Sequence, residues 1–311
     1  MIDILTTTLG IFVAIISTCC FNFSMVLQKK GLKESSEIKI EKGIKNLLKT
    51  FIEFSKNKSW LTGTIIGLIG LIPYVIAMGM VGVVVVQPVS TIGLIIFVIS
   101  AIRILKEKVS LFEIISIGML VISPILIGLA IISDIRISFT EFLTPYLLFI
   151  TIIILICVLS FFLSKKTRGT KWEGFFIMII GSLLFSLGAT FTNVLAQAYN
   201  DAHINALFFW EIIFGIFWLD YLHIWLFIGF WGMVIFNLVS IVFFQTALQK
   251  IRAVVVVPIH NAITLLVPVL AGLFIFHQIF ENTLLFFVSI ILILISIISL
   301  SRFQAEIESI K

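Results

Sequence analysis

Apolar runs long enough to cross a bilayer recur along this 311-residue chain, and no other feature limits its fold so severely. A helix needs about 20 apolar residues to span the hydrocarbon core, where backbone polar groups must be satisfied internally. Such runs stand at about 4–27, 60–81, 83–102, 110–132, 142–163, 174–197, 223–248, 253–276 and 283–301. With 60% of residues hydrophobic, 12% charged and a mean hydropathy of +1.23, no water-soluble core could absorb so much apolar side chain. The expected fold class is therefore all-α: a polytopic membrane protein of nine transmembrane helices, ten being the alternative.

Cys19, Cys20 and Cys157 all lie inside these runs. A thiol there behaves as a small hydrophobe, and a metal or redox centre would lack further ligands, so all three are read as packing residues. The opening MIDILTTTLG has no basic n-region, and its apolar run reaches about Leu27, longer than the core of a secretion signal. A retained first span is expected. The formal net charge of +5 comes from residues in short loops beside the spans, where orientation and anionic lipid account for it; no nucleic-acid partner is expected.

The ten-span alternative turns on 205–221, NALFFWEIIFGIFWLDY, a short stretch that holds Glu211 and is dense in Phe and Trp, as interfacial segments are. Lys and Arg concentrate on the cytoplasmic side, and the first loop alone carries nine lysines between Lys29 and Lys58. With that loop inside, nine spans put 20 of the 21 basic residues inside and leave only Arg136 outside. A tenth span at 205–221 would move Lys250, Arg252, Arg302 and Lys311 out. The charge pattern favours a cell-membrane protein with nine spans, its N-terminus outside and its C-terminus cytoplasmic. Within 33–58, Ile40, Ile44, Leu47, Leu48, Phe51 and Phe54 recur at helical spacing among lysines, which suits a helix lying on the inner leaflet; a disordered lysine-rich loop is the alternative.

The chain also repeats itself. VVVVQPVSTIGLIIFVI (83–99) aligns without a gap on AVVVVPIHNAITLLVPV (253–269), with Pro88 on Pro258, and each is followed by a polar break and one more apolar run. A weaker match lays IISTCCFNFS (15–24) on IIGSLLFSLG (179–188). The expected organisation is a first repeat over 1–132, a connector span and basic loop over 133–172, and a second repeat over 173–311. In it 33–58 and 205–221 occupy equivalent places. Four spans, one connector and four spans make the repeats antiparallel, the inverted arrangement of many secondary transporters.

Proline inside a span frees a backbone carbonyl that a neighbour or a cavity must satisfy. Around the paired prolines Pro88 and Pro258 stand Gln87, Ser90 and Thr91 in one repeat, and His260, Asn261 and Thr264 in the other. With Asn22 and Asn193 these are the candidate substrate-binding residues; tight helix packing is the alternative for the same groups. Ser24, Ser186, Gln197, Asn237 and Gln245 add further polar groups within spans. His260 could couple protons, because its ordinary pKa lies near neutrality, or could serve as a satisfied structural histidine. Asp134, Glu141, Glu173 and Glu281 fall at span ends or in loops, with Glu211 the exception to watch, so no metal site is assigned. A phosphate-binding loop, a metalloprotease motif and a nucleophile elbow are all absent from the sequence. Neither a cofactor nor an enzymatic activity is expected, and ATP-driven transport by this chain alone is excluded.

LQKKGL (27–32), VVVVQPVSTIGL (83–94), LKEKVS (105–110) and ALQKIRAVVVVPIHNAI (247–263), in this order and spacing and with a long basic first loop, resemble the repeat-bearing segments of the drug/metabolite transporter superfamily. Within it the similarity is closest to NIPA-type proteins, described as magnesium transporters. The resemblance implies a secondary transporter or facilitator with a central site, moving a small solute by alternating access or, in the NIPA branch, Mg²⁺. The superfamily turn often reads GE, whereas Lys106-Glu107 and His277-Gln278 stand here. That difference counts against direct carboxylate coordination of Mg²⁺ and leaves passage of the hydrated ion past carbonyls and amides. The expected partners are the lipid bilayer and a small-molecule or ion substrate. A homodimer stays open, because a glycine face such as Gly63, Gly67 and Gly70 serves packing within or between chains; a non-transporting membrane scaffold is the remaining alternative.

Overall fold

The computed structural model describes residues 4–38, 43–81, 83–130, 143–201, 209–275 and 282–309. Among these residues the chain is helical, with short connections and no strand. In order come α1 (Ile4–Lys33), α2 (Gly43–Lys56), α3 (Lys58–Val81), α4 (Val83–Ser100) with a π-helical turn (Ala101–Leu105), α5 (Leu111–Ala130), α6 (Leu143–Lys166) and α7 (Lys171–Asp201). There follow α8 (Phe209–Ile213) with a 3₁₀ turn (Gly215–Trp218), α9 (Tyr221–Lys250), α10 (Ala253–Phe274) and α11 (Thr283–Ser309).

Seven of the described helices, α1, α5, α6, α7, α9, α10 and α11, are long and apolar enough to cross a membrane. The expected spans 60–81 and 83–102 fall on α3, of 24 residues, and α4, of 18. In the stretch 205–221, residues 205–208 lie outside the described residues. The remainder forms the five-residue α8 and a four-residue 3₁₀ turn, each far short of a membrane's width at 1.5–2 Å per residue. Asp134, Arg136, Glu141 and the second polar break at 276–281 also lie outside the described residues. One expectation is corrected: α1 does not give way to loop at Lys29 but runs on to Lys33, and Lys29 is only 3% exposed.

The chain forms two compact units, the first of Met1–Ile132, Gln245–Ile259 and Phe280–Lys311, the second of Ser133–Phe244 and His260–Ile279. In the first unit α1 and α3 pack antiparallel through glycine. A Cβ on Gly63 would lie 2.8 Å from the Ser24 carbonyl oxygen, one on Gly67 2.7 Å from Ser24 Oγ and one on Gly70 2.8 Å from Cys20 Cβ. Ser17 Oγ also donates to the Gly70 carbonyl at 2.9 Å. Small residues let backbones approach closely where water provides no hydrophobic drive, so this glycine face is used within the chain. Ser116 Oγ of α5 donates to Ser299 Oγ of α11 at 2.8 Å. On α2, Phe51 and Phe54 set their rings against Trp60 at 6.4 and 5.8 Å, while Leu48 and Ile52 point away, each 60% exposed. Of the expected stripe, Phe51 and Phe54 thus face Trp60 and Leu48 does not, while Ile40 lies outside the described residues.

In the second unit α7 and α9 form another antiparallel pair, with Gly181 against Phe244, Gly188 against Asn237, Gly232 against Phe191 and Gly229 against Leu195. Helix α6 packs on α7 through Ile153, Cys157, Ile180, Leu183 and Leu187. Near its start Tyr146 is buried, with its ring edge-on to Phe191 at 5.5 Å and its hydroxyl 3.4 Å from Thr190 Oγ1. Cys157 is buried and Cys19 and Cys20 half-buried; all three are free thiols.

Candidate functional site

The first unit gathers its polar groups where α4 crosses α1. Thr18 Oγ1 donates to the Ser90 carbonyl at 2.7 Å, Ser90 Oγ donates back along α4 to the Val86 carbonyl at 2.8 Å, and Asn22 Nδ2 donates to the Thr18 carbonyl at 2.9 Å. Gly93 admits α1 at this point: a Cβ there would collide with Asn22 Nδ2 and Thr18 Oγ1. Asn22 is buried, and its Oδ1 has no hydrogen-bond partner among the described residues. Thr91 turns the other way and donates to the Val121 carbonyl of α5 at 3.2 Å. Gln87 and Pro88 lie on the backbone of α4; their side chains lie outside the described residues.

The second unit makes a corresponding crossing of α10 on α7. Ser182 Oγ stands 3.0 Å from His260 Nδ1 and also donates to the Met178 carbonyl at 2.8 Å; Ser186 Oγ reaches the Ile263 carbonyl at 3.5 Å. The His260 ring is 6% exposed and lies between Phe244, at 4.4 Å, and Phe185, at 5.4 Å. Thr264 bonds within its own helix, to the Asn261 carbonyl at 3.1 Å. Asn261 and Asn193 are half-buried, and Pro258 is buried near the start of α10.

The two crossings match position by position under the sequence repeat. Laying 15–24 on 179–188 pairs Thr18 with Ser182 and Asn22 with Ser186; laying Pro88 on Pro258 pairs Ser90 with His260 and Gly93 with Ile263. The Thr18–Ser90 contact is thus the counterpart of Ser182–His260, and the close approach of Asn22 to Gly93 that of Ser186 to Ile263. The helical pairs obey the same rule. Carried back along the chain, the Pro88–Pro258 offset lays Gly67 on Asn237, and Ser24 aligns with Gly188, so Ser24–Gly67 corresponds to Gly188–Asn237. Of the candidate residues, Asn22 and Ser90 come together in one unit and His260 joins Ser182 in the other; Thr91 and Thr264 are engaged elsewhere. Thr18 and Ser182 were not expected, although their alignment as hydroxyls one turn before Asn22 and Ser186 was the available signal.

A second polar group in the first unit surrounds the junction of α9 and α10. Lys29 Nζ donates to the carbonyls of Leu248 and of Ile251, the latter at 2.6 Å. The Glu107 carboxylate accepts from the Ala253 and Val254 amides, both at 3.0 Å, and so caps the N-terminus of α10. Arg252 pairs with the fully buried Glu113 at 3.0 Å and donates to the Lys108 carbonyl. Glu113 in turn closes a capping box with Ser110, at 2.8 and 3.2 Å. Beside the junction, Gln245 donates to Gln28 at 2.6 Å and accepts from Trp60 Nε1 at 3.4 Å, while Gln28 donates to Ser24 Oγ at 3.1 Å. These buried carboxylates were missed in the sequence because both sit at helix ends, where acidic residues are ordinarily solvated.

Long apolar helices joined by neutral polar crossings define a polytopic, all-α membrane protein. The sequence model of the family Magnesium transporter NIPA matches residues 5–305. The chain belongs to the NIPA family, within the drug/metabolite transporter superfamily, and is a multi-pass membrane transporter. No curated protein and no solved structure gives a match.

Proposed function

We propose that this chain carries Mg²⁺ across the cell membrane by alternating access of its two repeats. The observation that carries the proposal is its membership of the NIPA magnesium transporter family over residues 5–305. Among the described residues no group of three or more His, Cys, Asp and Glu could hold a metal ion, so the ion would travel with much of its water. Mg²⁺ is suited to this, because it dehydrates reluctantly and keeps several waters when bound. The acceptors for such waters are neutral: Asn22 Oδ1, the carbonyls near Pro88 and Pro258, and the hydroxyls and amides of Ser90, Asn193 and Asn261.

The nine-span, inverted arrangement with a cytoplasmic C-terminus belongs to the same proposal. It is supported by the antiparallel pairing of α7 with α9, which places the end of α7 and the start of α9 on one side. It is supported also by the bonds of Arg252 to Lys108 and of Lys250 to Glu37, since a tenth span at 205–221 would put each pair on opposite sides. A second reading, a small uncharged organic solute, is favoured by the neutral, aromatic surroundings of His260.

Proteoliposomes loaded with a Mg²⁺ indicator distinguish the two. Saturable Mg²⁺ uptake, reduced in Asn22→Ala by loss of an oxygen that accepts from the ion's waters, is the expected result. Absence of Mg²⁺ flux together with counterflow of an organic solute would replace it by the second reading.

A further inference from the structure

We propose that Lys29 is the bolt of an inner gate: its ammonium, seated on the Leu248 and Ile251 carbonyls, holds the α9–α10 junction shut against α1, and the path opens when it leaves. The proposal rests on the alternating-access reading above and holds for any cargo.

The junction, residues 248–254, is gripped from four separate places in the first half of the chain. Lys29 of α1 takes the Leu248 carbonyl in the last turn of α9 and the Ile251 carbonyl just beyond it. Glu107, in the turn after α4, takes two amides that α10 leaves unpaired at its start. Glu113 of α5 pairs with Arg252 at 3.0 Å. The segment after α1 binds Gln249, whose Oε1 accepts from the Ile38 amide at 2.9 Å and whose Nε2 donates to the Ser36 carbonyl at 3.0 Å, and Glu37 pairs with Lys250 at 2.7 Å. Gln28, Gln245 and Trp60 extend the contact inward as one chain of hydrogen bonds.

Packing alone does not call for an ammonium here. Burying a charge carries a large desolvation cost, and well-packed apolar residues often serve stability as well or better. Ionisable groups at membrane depth mark pathways and moving parts. The repeat supplies an internal comparison: the position equivalent to Lys29, by the alignment of 15–24 on 179–188, is the neutral Asn193. The helix therefore folds without a charge at that position. Its direct partners are neutral carbonyls, with the Glu107 carboxylate close enough to act on it through charge.

The test uses the full chain in lipid nanodiscs with Cys19, Cys20 and Cys157 changed to Ala and one reporter, Gln245→Cys, in the hydrogen-bonded chain beside the junction. The rate of labelling by a water-soluble maleimide is read with Lys29, Lys29→Gln and Lys29→Arg, alongside a control reporter, Ser186→Cys, in the second unit. An open state populated at roughly 0.1–10% leaves room for about a tenfold rise. The expected result is that rise for Lys29→Gln at Gln245→Cys, slow labelling restored by Lys29→Arg, and no change at Ser186→Cys. Should Lys29→Gln fail to fold, the paired change Arg252→Gln with Glu113→Gln releases the same junction without stranding a charge and is expected to raise the rate likewise. An unchanged rate in the folded variants overturns the proposal, as does an equal rise at both reporters, which would report general loosening.

Discussion

Gly93 leaves no room for a side chain, since a Cβ there meets both Thr18 and Asn22 across the α1–α4 crossing. Overfilling a packed site costs about 1–3 kcal/mol. Gly93→Val is therefore expected to lower the thermal midpoint in detergent, and to do so more than Ile263→Val at the equivalent place in the second repeat. Removing the hydroxyls is milder: Thr18→Val and Ser182→Ala each forfeit one interhelical hydrogen bond, worth about 0.6–1.7 kcal/mol inside a membrane. The two crossings lie in different units, so the double variant should show the sum within about 0.5 kcal/mol; a marked departure would mean the crossings are coupled. At this scale Asn22 and His260 were legible as costly polar groups in apolar runs. Thr18 and Ser182 were not, because a helical hydroxyl can satisfy itself on its own backbone, as Ser182 also does at Met178, and so signals nothing by its presence. Lys29 was misread for a physical reason: charge ordinarily marks the end of a span, yet here the helix's own neighbours supply carbonyl acceptors and the span continues.

Among the elements, the long helices were the most legible: seven of the expected spans fall on described helices long and apolar enough to cross a membrane, a matter that length and hydropathy decide without tertiary detail. Helix α2 shows where that reasoning stops. Its stripe is divided by tertiary packing: Phe54 is buried, while Leu48, with its neighbour Ile52, stands exposed next to Lys45, Lys49 and Lys56. Exposed leucine and isoleucine beside lysines are the arrangement of a helix lying in a lipid interface, with apolar groups at the acyl boundary and ammonium groups among phosphates. Hydrogen exchange over 43–56 should accordingly be slower in nanodiscs containing anionic lipid than in neutral ones. Leu48→Asp with Ile52→Asp should abolish the difference while leaving exchange in α1 and α3 unaltered. Equal exchange in both lipids for the parent protein would detach α2 from the membrane surface.

For the whole molecule the decisive relation is between charge and contact. The count of Lys and Arg assigns the α1 end, the 106–110 turn and the α9–α10 junction to one membrane side, using only composition and order. The structure brings those same three segments into hydrogen-bonding contact within the first unit. The two lines of reasoning are independent, since a charge count knows nothing of contacts and a contact knows nothing of sides. On the proposed nine-span arrangement, segments that touch at the ends of their spans share a face, and the number of crossings between Lys108 and Arg252 is even. Helices α5, α6, α7 and α9 supply four; a crossing at 205–221 would make five and separate Lys108 from Arg252. Epitope insertions at 108, 136, 168 and 205, with a tag at the C-terminus, put this to a direct test in intact and permeabilised cells. The expected pattern is that 136 and 205 are reached from outside, whereas 108, 168 and the C-terminus require permeabilisation. A C-terminal tag reached from outside while 108 stays protected would restore the tenth crossing and remove the parity on which the inverted repeat rests.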